Sequence, residues 1–477
     1  MKKCLLYGIL CLLLSQNTFA QQPTVRTGSG EMKEKSWSIV NFTLFGANKD
    51  HLYAHSSNLT LLDKRWTRNY LTLFELDKEG NVTAKKELKS LGRKTSVKYA
   101  FLNGDSINLL INSHFRNSDE NRLLHIRLSV NDLEKAQEIT DLKTEEMDGD
   151  IFITSPDTSW IGCFKNLEND QWKITLYGRD FEEIYSKQMI LQNIQSIYIT
   201  NEAEIVLLGV RNNGNEIFFQ ILNEEQDKSF TADMDFKHIA SIRIANYKNG
   251  RIYAGGLTYQ WNDNKNTKLY NGCHSLMFDT KTEELKTDRI SFTKRDIAIL
   301  FNNIMPKKDA DEEGVVNNLP MADRILSTEN NTVFAYHYVP AILEENNFFQ
   351  GGLFLFNIDD DGQIGWHHSI RRASNMANEL FMVQYLFEYK GKPCIVYSAE
   401  ASTALAENEE KLADVLKVFS QLSKSSTVMA MMNPDGTITK YLLDNVSNRL
   451  PYSTLEDQGE RSFMMNRGHT IKFIFVK

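Results

Sequence analysis

The feature that most constrains this chain is a recurring hairpin. An apolar, β-forming run ends in a tight polar turn and is followed by a second β-forming run. Asp77-Lys-Glu-Gly80 follows YLTLFEL, Asn131-Asp132 follows LLHIRLSV, Arg179-Asp180 follows KITLYG, and Glu224-Glu225 follows IFFQILN. Thr280-Lys281 follows SLMFD, Asp359-Asp-Asp-Gly362 follows LFLFNI, and Pro434-Asp-Gly436 follows VMAMMN. Short polar turns between period-two strands are hairpin signals. The first five recur every 45 to 55 residues or so, about the length of one four-stranded repeat.

Each hairpin C-D is preceded by a weaker strand pair A-B. Such pairs lie at 97–102 with 108–111, 151–154 with 160–164, 197–200 with 203–209, and 242–247 with 251–255. A further pair falls at the very end, 462–465 with 470–476, so A-B pairs outnumber C-D pairs by eight to seven. The reading is all-β, a β-propeller of four-stranded blades. Such a ring must close to bury the edges of its first and last blades. Eight blades are preferred, the last taking its outer strands from residues 23–40, with 37–40 the best candidate. Seven is the alternative, if the terminal strands complete the first blade. Even spacing without Pro- or Gly-rich linkers argues against a pair of β-sandwich domains.

The first twenty residues stand apart from the repeat. Lys2 and Lys3 precede the apolar run 5–14, and Thr18-Phe-Ala20 offers small residues for cleavage. This is the pattern of a secretory signal peptide cut after Ala20, leaving residues 21–477 as one propeller domain. The expected location is periplasmic or extracellular. No later stretch has the length of a membrane-spanning helix, so no integral membrane span is expected. Without residues 1–20 the chain keeps 52 basic against 62 acidic side chains, a net charge of -10. That charge repels phosphate backbones and excludes nucleic acid as a natural partner. Cys163, Cys273 and Cys394 remain, widely separated and without CxxC spacing, and are expected as buried thiols.

Two intervals carry helix periodicity. Residues 294–305 place Ile297, Leu300, Phe301 and Ile304 on one face, and residues 402–423 do the same with Leu405, Leu412, Val415, Leu416, Phe419 and Leu422. In an antiparallel blade the A-B and C-D turns lie at one end, and the B-C and D-A connections at the other. Both inserts, and the long B-C connections 56–69 and 258–271, fall at the B-C/D-A end. Loops on a rigid scaffold carry function. The ligand-contact candidates there are Arg65, Trp66 and Arg68, then Tyr259 and Trp261, then Arg371 and Arg372, residue types that dominate binding hot spots.

Catalytic and metal motifs were sought in the same way. Asn357, Asp359, Asp361 and Gly362 match the start of a calcium loop, but His368 stands where the closing Glu belongs, and a hairpin with Gly at positive φ explains the run. His367 and His368, as neighbours on a strand, point to opposite faces. HExxH, GxSxG and Gly-rich phosphate loops are absent from the sequence, and neither metal nor cofactor is expected. The segment Asn249-Gly-Arg-Ile-Tyr-Ala-Gly-Gly256 resembles one kelch repeat core, and Ser155-Pro-Asp157-Thr-Ser-Trp160 approximates a sialidase-type turn with Ser159 in place of Gly. Over nearly all of residues 21–477 the repeat resembles β-propellers of exported bacterial proteins. A closed ring, a signal peptide and long loops gathered at one end without a catalytic signature point to a ligand-binding or protein-assembly module, with a protein or glycan ligand at the B-C/D-A end, more than to an enzyme. The alternative is a carbohydrate-active enzyme, a glycoside hydrolase or lyase using carboxylates in the central funnel. Scaffolding of a cell-envelope complex is a third reading.

Overall fold

The computed structural model describes residues 25–31, 41–57, 71–88, 91, 94–115, 120–131, 133, 138–141, 151–168, 170–211, 216–234, 239–262, 267–301, 310–311, 314–316, 321–329, 331–338, 348–350, 352–370, 374–376, 385–400, 425–444, 453–457, 460–467 and 470–476. Strand β1 (Val25–Glu31) comes first. β2 (Asn41–Ala47), β3 (His51–Ser57), β4 (Leu71–Asp77) and β5 (Val82–Leu88) form the next sheet. β6 (Lys94–Asn103), β7 (Ser106–Phe115), β8 (Glu120–Ser129) and β9 (Glu138–Asp141) follow, then β10 (Ile151–Thr154), β11 (Ile161–Glu168), β12 (Gln171–Tyr177) and β13 (Glu183–Ile190). β14 (Ile194–Ile199), β15 (Ile205–Arg211), β16 (Glu216–Leu222) and β17 (Lys228–Asp233) form another.

The next unit is larger. β18 (Arg243–Lys248), β19 (Arg251–Asn262), β20 (Thr267–Asp279) and β21 (Glu284–Ser291) are joined by β22 (Ala310–Asp311) and β23 (Gly314–Val316), after the helix α1 (Lys294–Phe301). β24 (Met321–Ser327), β25 (Thr332–Tyr338), β27 (Leu353–Ile358) and β28 (Ile364–Ile370) form the following sheet. A two-stranded ribbon, β26 (Phe348–Gln350) with β29 (Ser374–Met376), stands beside it. β30 (Tyr385–Tyr389), β31 (Lys392–Glu400), β32 (Ser425–Met432) and β33 (Ile438–Asp444) come next. Finally β34 (Ser453–Asp457), β35 (Glu460–Arg467) and β36 (Thr470–Val476) pair in order, and β1 adds to β36.

The all-β architecture of four-stranded blades is therefore present. The preferred count of eight such blades is corrected: seven sheets are four-stranded, the alternative number, and the sheet built on β18 to β21 has six strands. Its extra strands exist because β19 and β20 overshoot β21. β21 stops with Ser291 opposite Gly272, and the free edge beyond it pairs Leu269 with Val316 and Tyr270 with Val315.

Burial follows each blade's radius. Middle strands are covered on both faces by neighbouring blades and are apolar almost throughout, as in IVLLGVR of β15 and LFLFNI of β27. Outer strands alternate instead, as VTAKKEL of β5 does. Each of these apolar clusters lies between two successive sheets: Leu73 with Ile126, Ile174 with Ile199, Phe219 with Phe278, Met277 with Phe356, Tyr397 with Leu355, and Phe387 with Ile474. β34 packs beside β2, which brings the last sheet against the first.

Closure differs from expectation in detail. The C-terminus supplies three strands and the N-terminus one, in the register Val25 opposite Val476 to Glu31 opposite Thr470. β34, with the polar sequence STLED, is the strand the A-B count missed. The closing strand falls inside the 23–40 window, at 25–31. Residues 37–40 lie outside the described residues, as do the signal segment and the second insert at 402–423. The first insert is a helix over Lys294–Phe301, and the rest of the expected 294–305 lies outside the described residues. Cys163, Cys273 and Cys394 are buried and form no disulfide. Among the described residues no helix is long and apolar enough to cross a membrane.

Candidate functional site

All the tight turns, A-B and C-D, lie at one end of the ring. The connections 58–70, 292–320, 339–352, 371–384 and 401–424 all join strands at the other end, because each follows a second or fourth strand of its sheet. This long-connection end is where the candidate contact residues fall.

Tyr259 and Trp261 are not in a loop, as expected, but on the overshooting hairpin. β19 runs to Asn262 and β20 begins at Thr267, with a register shift between Thr258 and Tyr259. The alternation of Leu257, Tyr259 and Trp261 with Thr258 and Gln260 is a strand pattern that continues past the blade. Trp261 is 44% exposed, whereas Tyr259 is half-buried. Trp261 edges a cleft of about 430 Å³ shared with Gln260, Asn271, Ser291 and Phe292. The floor is tied together: Thr258 Oγ1 donates to Asn271 Oδ1 (3.0 Å), Asn271 Nδ2 donates to Gln260 Oε1 (3.3 Å), and Phe292 N–H donates to the Asn271 carbonyl (2.8 Å). An indole held at the lip of a fixed polar floor presents a large apolar face with little ordering left to do on contact.

A second cleft of about 370 Å³ opens at the same end between β13 and β16. Ile190 at its rim is 62% exposed, and the Arg211 guanidinium sits 4.1 Å over the Phe218 ring. Ile151, 42% exposed, begins β10 at this end too. Neither cleft is lined by a carboxylate among the described residues.

Arg65, Trp66, Arg68, Arg371 and Arg372 lie outside the described residues. The strands that flank them, β3, β4 and β28, end or begin at the long-connection end.

The helix α1 is anchored by a group that sequence reasoning passed over. Asp296, 6% exposed, accepts from Thr293 N–H (2.8 Å) and Thr293 Oγ1 (2.7 Å), and Asp296 N–H donates to Thr293 Oγ1 (3.2 Å). This is a reciprocal N-terminal cap. Ser369 Oγ of β28 donates to the other Asp296 oxygen at 2.6 Å, and His367 Nε2 lies 3.9 Å from the carboxylate. The Ser369 proton is thus directed at a carboxylate rather than at a histidine, so this triplet is a tether and not an activated nucleophile. The signal for it was the T-x-x-D spacing before an apolar helical run.

His367 and His368 do face opposite ways. His367 approaches Phe354 (6.0 Å between rings) and His368 approaches Trp366 (5.3 Å). The calcium-like run is a hairpin: Asp359 Oδ1 accepts from Asp361 N–H (3.0 Å) and Gln363 N–H (2.9 Å), Asn357 Oδ1 accepts from Trp366 N–H (2.7 Å), and Gly362 has φ +84°. The oxygens of Asn357 and Asp359 already serve backbone donors.

No family model matches the chain, and no curated protein matches it in sequence. Solved propellers resemble it in outline. The WD40 domain of Toxoplasma gondii coronin aligns at 9% identity and TM-score 0.40 over 95% of this chain and 86% of that one. The Dos1 propeller aligns at 8% and 0.45 over 92% and 94%. The β-propeller domain of the Trilobed protease from Pyrococcus furiosus aligns at 9% and 0.37 over 81% and 95%.

Proposed function

We propose that this protein is an exported propeller that binds a protein or glycan ligand at its long-connection end. One observation carries the reading: exposed Trp261 and Ile190 each edge a cleft at that end, and neither cleft is lined by a carboxylate among the described residues. Fixed apolar anchors with polar floors suit recognition. Hydrolysis of a glycosidic bond needs two carboxylates flanking it. Propellers in general serve as interaction platforms, and fold alone does not choose a ligand. Arg65, Trp66, Arg68, Arg371 and Arg372 belong to the same proposed surface, and the -10 charge of residues 21–477 excludes nucleic acid from it.

The test compares partner recovery from envelope extracts by the wild-type chain and by Trp261→Ala and Ile190→Ser. Recovery that falls at least tenfold in the variants, with unchanged melting, supports the reading. Equal recovery by all three, or cleavage of a glycan panel by the purified wild type, overturns it. Export has its own test: N-terminal sequencing of the secreted chain is expected to begin at Gln21.

A further inference from the structure

A third cavity, of about 620 Å³, lies at the opposite, short-turn end, where the innermost strands β10, β14, β18 and β24 turn into their second strands. It crosses four successive sheets. Its walls combine the half-buried rings of Tyr198 and Tyr247 with Asn201, Asn246, Glu202 and Glu204.

The rim is fixed before any ligand arrives. Thr200 Oγ1 accepts from both Glu202 N–H and Glu204 N–H (3.1 Å each), which sets the two glutamates on one turn. Asn201 is held from the neighbouring sheet, where Trp160 Nε1 donates to its carbonyl (2.8 Å) and Asp157 N–H donates to its Oδ1 (3.2 Å). Burial, with Glu202 beside it, pushes the Tyr198 phenol up to about 12, and burial followed by Glu204 raises Tyr247. Both phenols stay protonated at neutral pH; the Tyr198 phenol meets the Tyr247 backbone and the Tyr247 phenol the Thr280 hydroxyl, which fixes where each points.

We infer that this groove is a binding site for a small neutral oligosaccharide. A sugar ring offers an apolar C–H face to stack on a tyrosine, and vicinal hydroxyls that both donate and accept. Planar amides and carboxylates beside phenolic donors supply the matching pairs. The volume lies within the range of small-ligand pockets. Glu202 and Glu204 repel phosphorylated, sulfated or uronic-acid ligands. The lining also holds Glu329 and one cation, Lys248, whose Nζ donates to the Glu329 carbonyl at 3.1 Å; a basic peptide is the competing occupant that the test separates. The inference does not depend on the long-connection surface.

The experiment is saturation-transfer NMR on the full chain with cellotriose, maltotriose and chitotriose. At least one is expected to bind. Its affinity should weaken about tenfold in Glu202→Ala and in Tyr247→Phe, the loss of one or two hydrogen-bond partners, and stay unchanged in Trp261→Ala. Glu202 is exposed and Tyr247→Phe keeps the ring, so both variants should melt as the wild type does. The inference falls if none of the three gives transfer at millimolar concentration. It also falls if binding is kept in the groove variants, including the case where Trp261→Ala alone abolishes it. Capture of a tetra-lysine peptide in a Glu202-dependent manner, with no trisaccharide bound, would assign the groove to basic peptides instead.

Discussion

At the residue scale four of the hairpins are each closed by one polar side chain. Asp77 and Asp279 end their strands, Asn223 and Asp359 directly follow theirs, and the side-chain oxygen of each accepts from backbone N–H groups two to four residues on. Such a residue closes the turn locally, which is why these hairpins were legible without any contact information. Asp359→Ala should cost about 1 kcal/mol, read as a lower urea midpoint with an unchanged slope. Added calcium should not raise the wild-type midpoint if the turn is only a hairpin. Buried histidines are a second residue-level device, and the sequence gives no sign of their burial. Burial holds His55 down at about 4 and His274 at about 3, and lowers His125. Their folded-state values lie below the unfolded 6.5, so the unfolded chain takes up protons first as pH falls. Their contribution is complete above about pH 6.5 and is lost from there down through pH 4, by up to about 1.4 kcal/mol per unit for each histidine. Urea midpoints at pH 7.5 and 5 should show the fall, and His55→Gln should flatten it; an unchanged slope would contradict the assignment.

At the element scale, strand identity was legible wherever two faces were buried and obscure where sequence was polar. LFLFNI reads as a core strand, whereas STLED of β34 does not, because its place beside β2 is a tertiary fact. The segment 258–271, a long B-C connection by sequence, is strand over most of its length, and that length is permitted by β23, which covers the edge that β21 leaves open. α1 was legible from its apolar period, but neither its T-x-x-D cap nor its seat was read. A Cβ on Gly352 would stand 2.6 Å from the Ile299 carbonyl of α1, and Gly352 N–H donates to the Leu300 carbonyl at 3.0 Å. Gly352→Val must therefore push the helix off β27, and a cost of about 1–3 kcal/mol is expected. Asp296→Ala removes the cap and the Ser369 tether together and should cost a similar amount. Equilibrium unfolding measures both, and neutrality of either variant would contradict this seat for α1.

At the scale of the whole molecule, the ring depends on a strand from the far end of the chain. Deleting residues 25–31 leaves the β36 edge unpaired, and such edges aggregate; light scattering should show association at temperatures where the intact chain stays monodisperse. The existence of a closed repeat was legible from hairpin spacing. Which residues close it was not, since Val25–Glu31 carries Gly28 and Gly30 and reads as a poor strand until β36 templates it. The long-connection end was legible from connection lengths alone, but the exposed Ile190 and the floor beneath Trp261 needed coordinates. The central claim is that this end does the binding. Amide hydrogen exchange of the chain, alone and with a partner captured from envelope extract, tests it most directly. Slowed exchange in 257–261 and 190–194, with the turns at 78–81 and 359–362 unchanged, is the expected result. Protection confined to those short turns, with the long-connection end unaltered, would contradict it.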